Sequence, residues 1–108
     1  MSLNHYYVYV LNCSNGSYYT GYTNNLARRY QEHLAGTAKC KYTRSFKPLG
    51  IASCWRIYGA KVMAMKVERY IKQLSRAEKQ DLLASPKQLL KLFHCKVITT
   101  NDVSWPCF

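Results

Sequence analysis

The groups in this chain that could do chemistry are mostly tyrosines and cations, and carboxylates are scarce. Its 108 residues include 16 Lys and Arg against 5 Asp and Glu, for a formal net charge of +11. Such a balance draws a protein to a polyanion, and nucleic acid is the commonest one in the cytosol. The carboxylates are Glu32, Glu68, Glu78, Asp81 and Asp102, so any metal chemistry must be economical with them. Tyr9 and Tyr19 stand 10 positions apart, Arg29 follows 10 later and His33 four after that. Taken singly, each of these residues has an ordinary alternative. The tyrosines could be sheet residues, and Arg29 and His33 could be a helix flank beside an Arg28–Glu32 pair. Glu68 could be a solvated charge bridging to Lys72 or Lys61.

The elements that must position these groups follow from pattern and turn chemistry. Tyr6 to Asn12 is aromatic and β-branched, Asn15-Gly16 is a hairpin signal, and Ser17 to Tyr22 is again strand-like. Thr23 or Asn24 can cap a helix whose apolar stripe is Leu26, Tyr30 and Leu34, and which Gly36 ends. Thr37 to Pro48 has no period and reads as a basic loop. Ile51 to Tyr58 alternates poorly but is rich in β-formers, a third strand. Met63, Val67, Ile71 and Leu74 recur at helical spacing from Lys61 to Leu74. Ser75 with Glu78 forms a capping box for a helix to about Ala84, and Ser85-Pro86 starts a last one to about Phe93. Cys95 to Phe108 is a tail that could hold a short strand. The expected fold class is α+β, a small three-stranded, mainly antiparallel sheet flanked by helices. Residues 1–84 form the main unit, and residues 85–108 add a helix and tail packed on the same domain.

The 5 cysteines, Cys13, Cys40, Cys54, Cys95 and Cys107, include no Cys-x-x-Cys pair, so they read as reduced, structural thiols. No stretch has the length of a membrane span, and the N-terminus lacks a signal-peptide pattern. A cytoplasmic location with no membrane partner is the expectation.

Tyr7-Val8-Tyr9 and Tyr19-Thr20-Gly21, with Arg29 and His33 in the following helix and Glu68 in a later one, resemble the signature of the GIY-YIG nuclease superfamily. Ala38 to Arg44 and Lys72 to Arg76 look like its small stand-alone bacterial branch. Tyr7 and Val8 replace Gly and Ile in the first triplet, and Gln80 stands where several relatives have Asn. The resemblance implies an endonuclease that hydrolyses phosphodiester bonds in nucleic acid, DNA rather than RNA, with Mg²⁺ (or Mn²⁺). It implies Tyr9, Tyr19, Arg29, His33 and Glu68 as catalytic residues. Glu68 would be the metal ligand, Arg29 a planar cationic fork for phosphate, Tyr9 the group that takes or orients the water's proton, and Tyr19 a positioning residue. A basic Tyr9 requires nearby positive charge to favour its phenolate.

Two further expectations come from the residues themselves. A two-residue Asn15-Gly16 loop would pair positions summing to 31 and send Tyr9 and Tyr19 to opposite faces, so a shared site requires an odd-length loop or a bulge between Cys13 and Gly16. Lys39, Lys41, Tyr42, Arg44 and Lys47, with Lys72 and Arg76, are candidates for contact with the nucleic-acid backbone and exposed bases. No sequence-reading motif is present, so selectivity would be for nucleic-acid structure or would come from a partner; for a nuclease of the GIY-YIG kind the expected setting is repair or recombination. The alternative is a non-catalytic nucleic-acid-binding protein with the same fold.

Overall fold

The computed structural model describes residues 5–36 and 40–98. Strands β1 (Tyr6–Cys13) and β2 (Tyr18–Thr23) open the chain, followed by helices α1 (Leu26–Ala35) and α2 (Lys41–Ser45) and strand β3 (Pro48–Ile57). Helices α3 (Lys61–Gln73) and α4 (Arg76–Ala84), a 3₁₀ helix (Pro86–Lys91) and strand β4 (Cys95–Ile98) are the remaining elements among the described residues. The strands form one antiparallel sheet in the order β2-β1-β3-β4. The fold is α+β as expected, with four strands in place of three. The tail supplies the fourth by pairing Val97 with Trp55 and Ile98 with Cys54.

Alternation along β1 sends side chains to two cores. Val8 and Val10, with Trp55 and Ile57 of β3, meet Ala64, Val67 and Ile71 of α3 and Leu82 of α4. Tyr7, Tyr9 and Leu11, with Cys54, meet Leu26 and Tyr30 of α1. The weak alternation of β3 has a physical cause. Its register against β1 shifts between Val10 and Leu11 and again between Asn12 and Cys13, and each bulge breaks the period of two.

The hairpin loop has the odd length that a shared tyrosine face requires. Cys13 N–H donates to the Ser17 carbonyl at 3.0 Å and Gly16 N–H to the Cys13 carbonyl at 2.9 Å, leaving Ser14, Asn15 and Gly16 as a three-residue loop. Gly16 takes φ 81°, the left-handed conformation that closes such a loop. The strands therefore pair Tyr9 with Gly21 and Leu11 with Tyr19, positions summing to 30. Tyr9 and Tyr19 thus share a face.

Three local expectations are corrected. The cap of α1 is Asn25, whose side chain accepts from Arg28 N–H at 3.1 Å, while Thr23 Oγ1 accepts from Asn25 N–H. The supposed basic loop contains α2, a five-residue helix too short to announce itself by periodicity. The final helix is 3₁₀ and shorter than expected, and Ser85 makes no side-chain cap. The capping box at Ser75 and Glu78 forms in full. Cys13, Cys40, Cys54 and Cys95 are buried as thiols, outside any disulfide, whereas Cys107 lies outside the described residues.

Candidate active site

Tyr9 comes from β1, an inner strand, yet its phenol reaches the edge of the sheet because Gly21 stands opposite. A Cβ on Gly21 would lie 2.6 Å from Tyr9 Oη and 2.8 Å from its Cζ. Only glycine leaves that path open. The Tyr9 ring then tilts against Tyr19, with centroids 6.4 Å apart. Nothing local to the Tyr19-Thr20-Gly21 triplet marks Gly21, because its pairing with Tyr9 depends on the length of the hairpin loop.

Helix α1 brings Arg29 and His33 to the same place. The expected stripe of Leu26, Tyr30 and Leu34 is corrected in its third member, because Leu34 is 38% exposed and His33 is fully buried at 0%. His33 Nε2 lies 2.8 Å from Tyr9 Oη, and its Nδ1 lies 2.7 Å from Thr43 Oγ1. Thr43 is itself buried and donates to the Cys40 carbonyl at 3.3 Å. A chain of hydrogen bonds thus runs inward from Tyr9 through His33 and Thr43 to the backbone. Helix α2 is held over it by Tyr42, whose ring stacks on Tyr19 at 5.8 Å and whose hydroxyl bonds Ser17 Oγ and Asn15 Nδ2 of the hairpin loop. Sequence reasoning missed Thr43, since Thr37, Tyr42 and Ser45 offer hydroxyls in the same basic run and nothing local singles one out.

A cleft of about 550 Å³ is lined by Tyr9, Tyr19, Arg28, Arg29 and Glu32 from one side of the sheet and by Tyr22, Lys61 and Glu68 from the other. Gly21 and Thr23 of the edge strand lie between. Four of the five expected catalytic residues, Tyr9, Tyr19, Arg29 and Glu68, therefore share one cleft, and His33 supports Tyr9 from behind. Arg29 donates to Glu32 Oε1 at 3.0 Å, an i, i+3 pair beside the Arg28–Glu32 pair weighed as the ordinary reading of this flank. Glu68 is half-buried, and one of its oxygens lies 3.3 Å from Lys72 Nζ, one of the two lysines weighed for it.

Burial dominates the electrostatics. It raises the Tyr9 phenol above its usual range, as does the adjacent Tyr19, and both outweigh the Arg29 guanidinium that hydrogen-bonds it. The expectation that surrounding cations favour a Tyr9 phenolate is corrected: in the protein alone Tyr9 is a phenol. Burial, helped by Arg29 and opposed by Glu32, lowers His33 to about 4, so its ring is neutral at pH 7. For Arg29 the cost of burial is exceeded by its hydrogen bonds to Glu32 and Tyr9, and its pKa is raised.

The candidate nucleic-acid contacts divide into two groups. Tyr42 and Arg44 lie on α2 and Lys47 just beyond it, all exposed, and Lys41 opens that helix. Lys72 closes α3 and pairs with Glu68, while Arg76 opens α4 with its guanidinium 5.1 Å from the Tyr18 ring centre. Lys39 lies outside the described residues. Gln80 is exposed on α4 and does not line the cleft.

The model of the GIY-YIG catalytic domain matches residues 5–81, most of the chain and all of the elements that build the cleft. The chain belongs to the GIY-YIG family. A UPF0213 protein of Halobacterium salinarum is 47% identical over 77 residues, covering 71% of this chain and 97% of the relative. A UPF0213 protein of Halalkalibacterium halodurans is 42% identical over 82 residues, covering 76% and 84%. The solution NMR structure of a UPF0213 protein from Bacillus halodurans shares 37% identity, with a TM-score of 0.48, over 82% of this chain and 96% of that one. Membership places the chain in the GIY-YIG nuclease superfamily, with a nucleic-acid substrate. Among the described residues, no helix is long and apolar enough to cross a membrane.

Proposed function

We propose that this GIY-YIG protein is a divalent-metal-dependent endonuclease that hydrolyses phosphodiester bonds in DNA, selecting structure over sequence, in repair or recombination. The observation that carries this reading is the meeting of Tyr9, Tyr19, Arg29 and Glu68 in one cleft built from both sides of the sheet.

The donor chemistry fits Mg²⁺ or Mn²⁺. Among the described residues no group of three or more His, Cys, Asp or Glu converges on a point. Glu68 presents a half-buried carboxylate on a cleft wide enough for waters and a phosphate. A single carboxylate completed by water and substrate is a magnesium arrangement, not a zinc one. Glu68 would hold the ion, which when bound supplies positive charge beside the leaving oxygen.

The remaining work belongs to the chain's own side chains. Arg29, oriented by Glu32, offers N–H donors to the non-bridging phosphate oxygens and offsets their charge as the phosphorus becomes crowded. Tyr9 meets the attacking water as a phenol. It orients that water, and it can take the water's proton as its own hydroxyl proton passes to His33 Nε2 at 2.8 Å. The Tyr19 ring, held between His33 and Tyr42, keeps the Tyr9 ring in place and lines the path of the phosphate. Exposed Arg44 and Lys47, on and just beyond α2, can contact backbone phosphates, and Tyr42, stacked on Tyr19, offers a face on which an unpaired base can stack.

A cleavage assay on branched, flapped and single-stranded DNA, with matched RNA, tests the reading. Wild-type protein should cut DNA only with Mg²⁺ or Mn²⁺. Glu68→Ala should lower the rate by on the order of 10²-fold or more while binding DNA within a few-fold of wild type. If both proteins bind alike and neither cuts any substrate, the chain is a nucleic-acid-binding protein on a nuclease fold.

A further inference from the structure

The hydrogen-bond chain behind Tyr9 has a direction, and that direction decides how Tyr9 meets the water. We propose that Thr43 is a positioning residue that fixes His33 as the Nδ1–H tautomer, so that the Tyr9 hydroxyl hydrogen points into the protein and an Oη lone pair faces the cleft. The proposal rests on the nuclease reading for its consequence but not for its geometry.

The argument runs from the inner end of the chain outward. A backbone carbonyl can only accept, so Thr43 Oγ1 donates its one hydrogen to the Cys40 carbonyl at 3.3 Å. A threonine in a helix commonly makes this bond to the carbonyl one turn back, and Cys40 is the cap residue of α2. Having given its hydrogen away, Thr43 Oγ1 meets His33 Nδ1 at 2.7 Å as an acceptor, and Nδ1 must carry the proton. His33 is fully buried and neutral, so Nε2 is then a bare lone pair. Tyr9 Oη at 2.8 Å donates to it. Arg29 hydrogen-bonds the same hydroxyl and, having only donors, occupies one lone pair. One lone pair remains for the water.

The reverse direction gives the opposite chemistry. Were Thr43 to donate to Nδ1, Nε2–H would donate to Tyr9, both Oη lone pairs would be filled, and the phenol could face the cleft only as a donor. A water hydrogen-bonded to a donor is held through its oxygen, the atom that must attack phosphorus. Thr43 thus separates a site that presents the water's oxygen to phosphate from one that ties it up. Its position on a helix that Tyr42 pins to the hairpin loop keeps the hydroxyl in register with the ring.

Long-range ¹H–¹⁵N NMR of the imidazole nitrogens in ¹⁵N-labelled full-length protein at neutral pH reads the tautomer without any turnover. The expected result is a protonated, pyrrole-like Nδ1 and an unprotonated, pyridine-like Nε2 for His33. Thr43→Val should remove that preference and lower kcat by roughly 10- to 100-fold, the range of a misaligned proton-transfer group, with KM within a few-fold. Thr43→Ser should restore both the ¹⁵N pattern and kcat. A wild-type His33 protonated on Nε2 overturns the proposal, as does a folded Thr43→Val variant with the wild-type pattern. The wild-type spectrum decides the tautomer even if the valine variant fails to fold. A wild type with the expected ¹⁵N pattern but no cleavage overturns the nuclease reading and leaves the tautomer assignment standing.

Discussion

The sheet buries two faces, and each contains a threonine that illustrates how differently they are built. Toward α3 and α4, Thr20 sits beside Val10 with Ser53 on its other flank, and Thr20 Oγ1 has no hydrogen-bond partner among the described residues. The rest of that core is aliphatic and aromatic, centred on Trp55, whose indole N–H donates to the Pro86 carbonyl at 2.9 Å. Toward α1 and α2, Thr43 is one link in a buried chain that joins Tyr9, His33 and the Cys40 carbonyl. One face holds the molecule together and tolerates an idle hydroxyl. The other buries the polar chain of Tyr9, His33 and Thr43, whose members are bonded to one another, although Arg56 Nε, beside Tyr7 on that face, has no hydrogen-bond partner among the described residues; polar groups are costly to desolvate, a cost consistent with a functional site.

The largest effect should come from Trp55→Ala on the apolar face. Loss of a fully buried ring costs about 3–5 kcal/mol, enough to show as unfolding at ambient temperature in a circular-dichroism melt. A variant that melts as the wild type does would mean that this face is not the stabilising one.

Protonation of His33 should come next. With a folded pKa of about 4 against an unfolded value near 6.5, the unfolded chain binds the extra proton between those values. The resulting stability is complete above about pH 6.5, falls as pH drops toward 4, and totals on the order of 3 kcal/mol. Urea unfolding of wild type and His33→Asn at pH 7.5 and pH 5 should show that slope in wild type alone. Equal slopes would place the charge-sensitive burial elsewhere.

Gly21→Ala tests the path between the faces. Its Cβ would lie 2.6 Å from Tyr9 Oη, so the phenol must move. The expected cost is about 1–3 kcal/mol of stability, with loss of cleavage greater than the stability change explains. Wild-type kcat in this variant would show that Tyr9 need not cross the edge strand.

The smallest effect, and the sharpest contrast, is Thr20→Val. An unpartnered buried hydroxyl exchanged for a methyl group should leave stability unchanged or raise it by up to about 1 kcal/mol, measured by urea unfolding. The same exchange at Thr43 strands the His33 Nδ1–H and should cost about 1–3 kcal/mol. Equal outcomes at the two threonines would erase the distinction between the faces.

Much of this was legible along the chain because it is local. The capping box at Ser75 and Glu78, the glycine that ends α1 and the spacing of Met63, Val67 and Ile71 depend on a few adjacent residues. Strand parity even required the odd loop that Ser14 to Gly16 forms. Helix α2 and the partnership of Arg29 with Glu32 escaped, since five basic and polar residues carry no period and neighbouring arginines offer two equivalent pairs. His33 escaped as a core residue because its burial depends on Thr43, a residue from another helix whose hydroxyl makes the polar ring affordable inside.

Residue types and their order determined the local elements, the excess of cations and the set of groups able to act on a phosphodiester. Tertiary structure alone decided which of them meet. Glu68 rides on a helix packed against one face of the sheet and Tyr9, Arg29 and His33 belong to the other, and they converge because the sheet ends at β2 beside a glycine with no side chain to divide them. Proton direction is likewise set by distance and burial, through Thr43, since a neutral imidazole takes its tautomer from whatever partner the fold places at Nδ1.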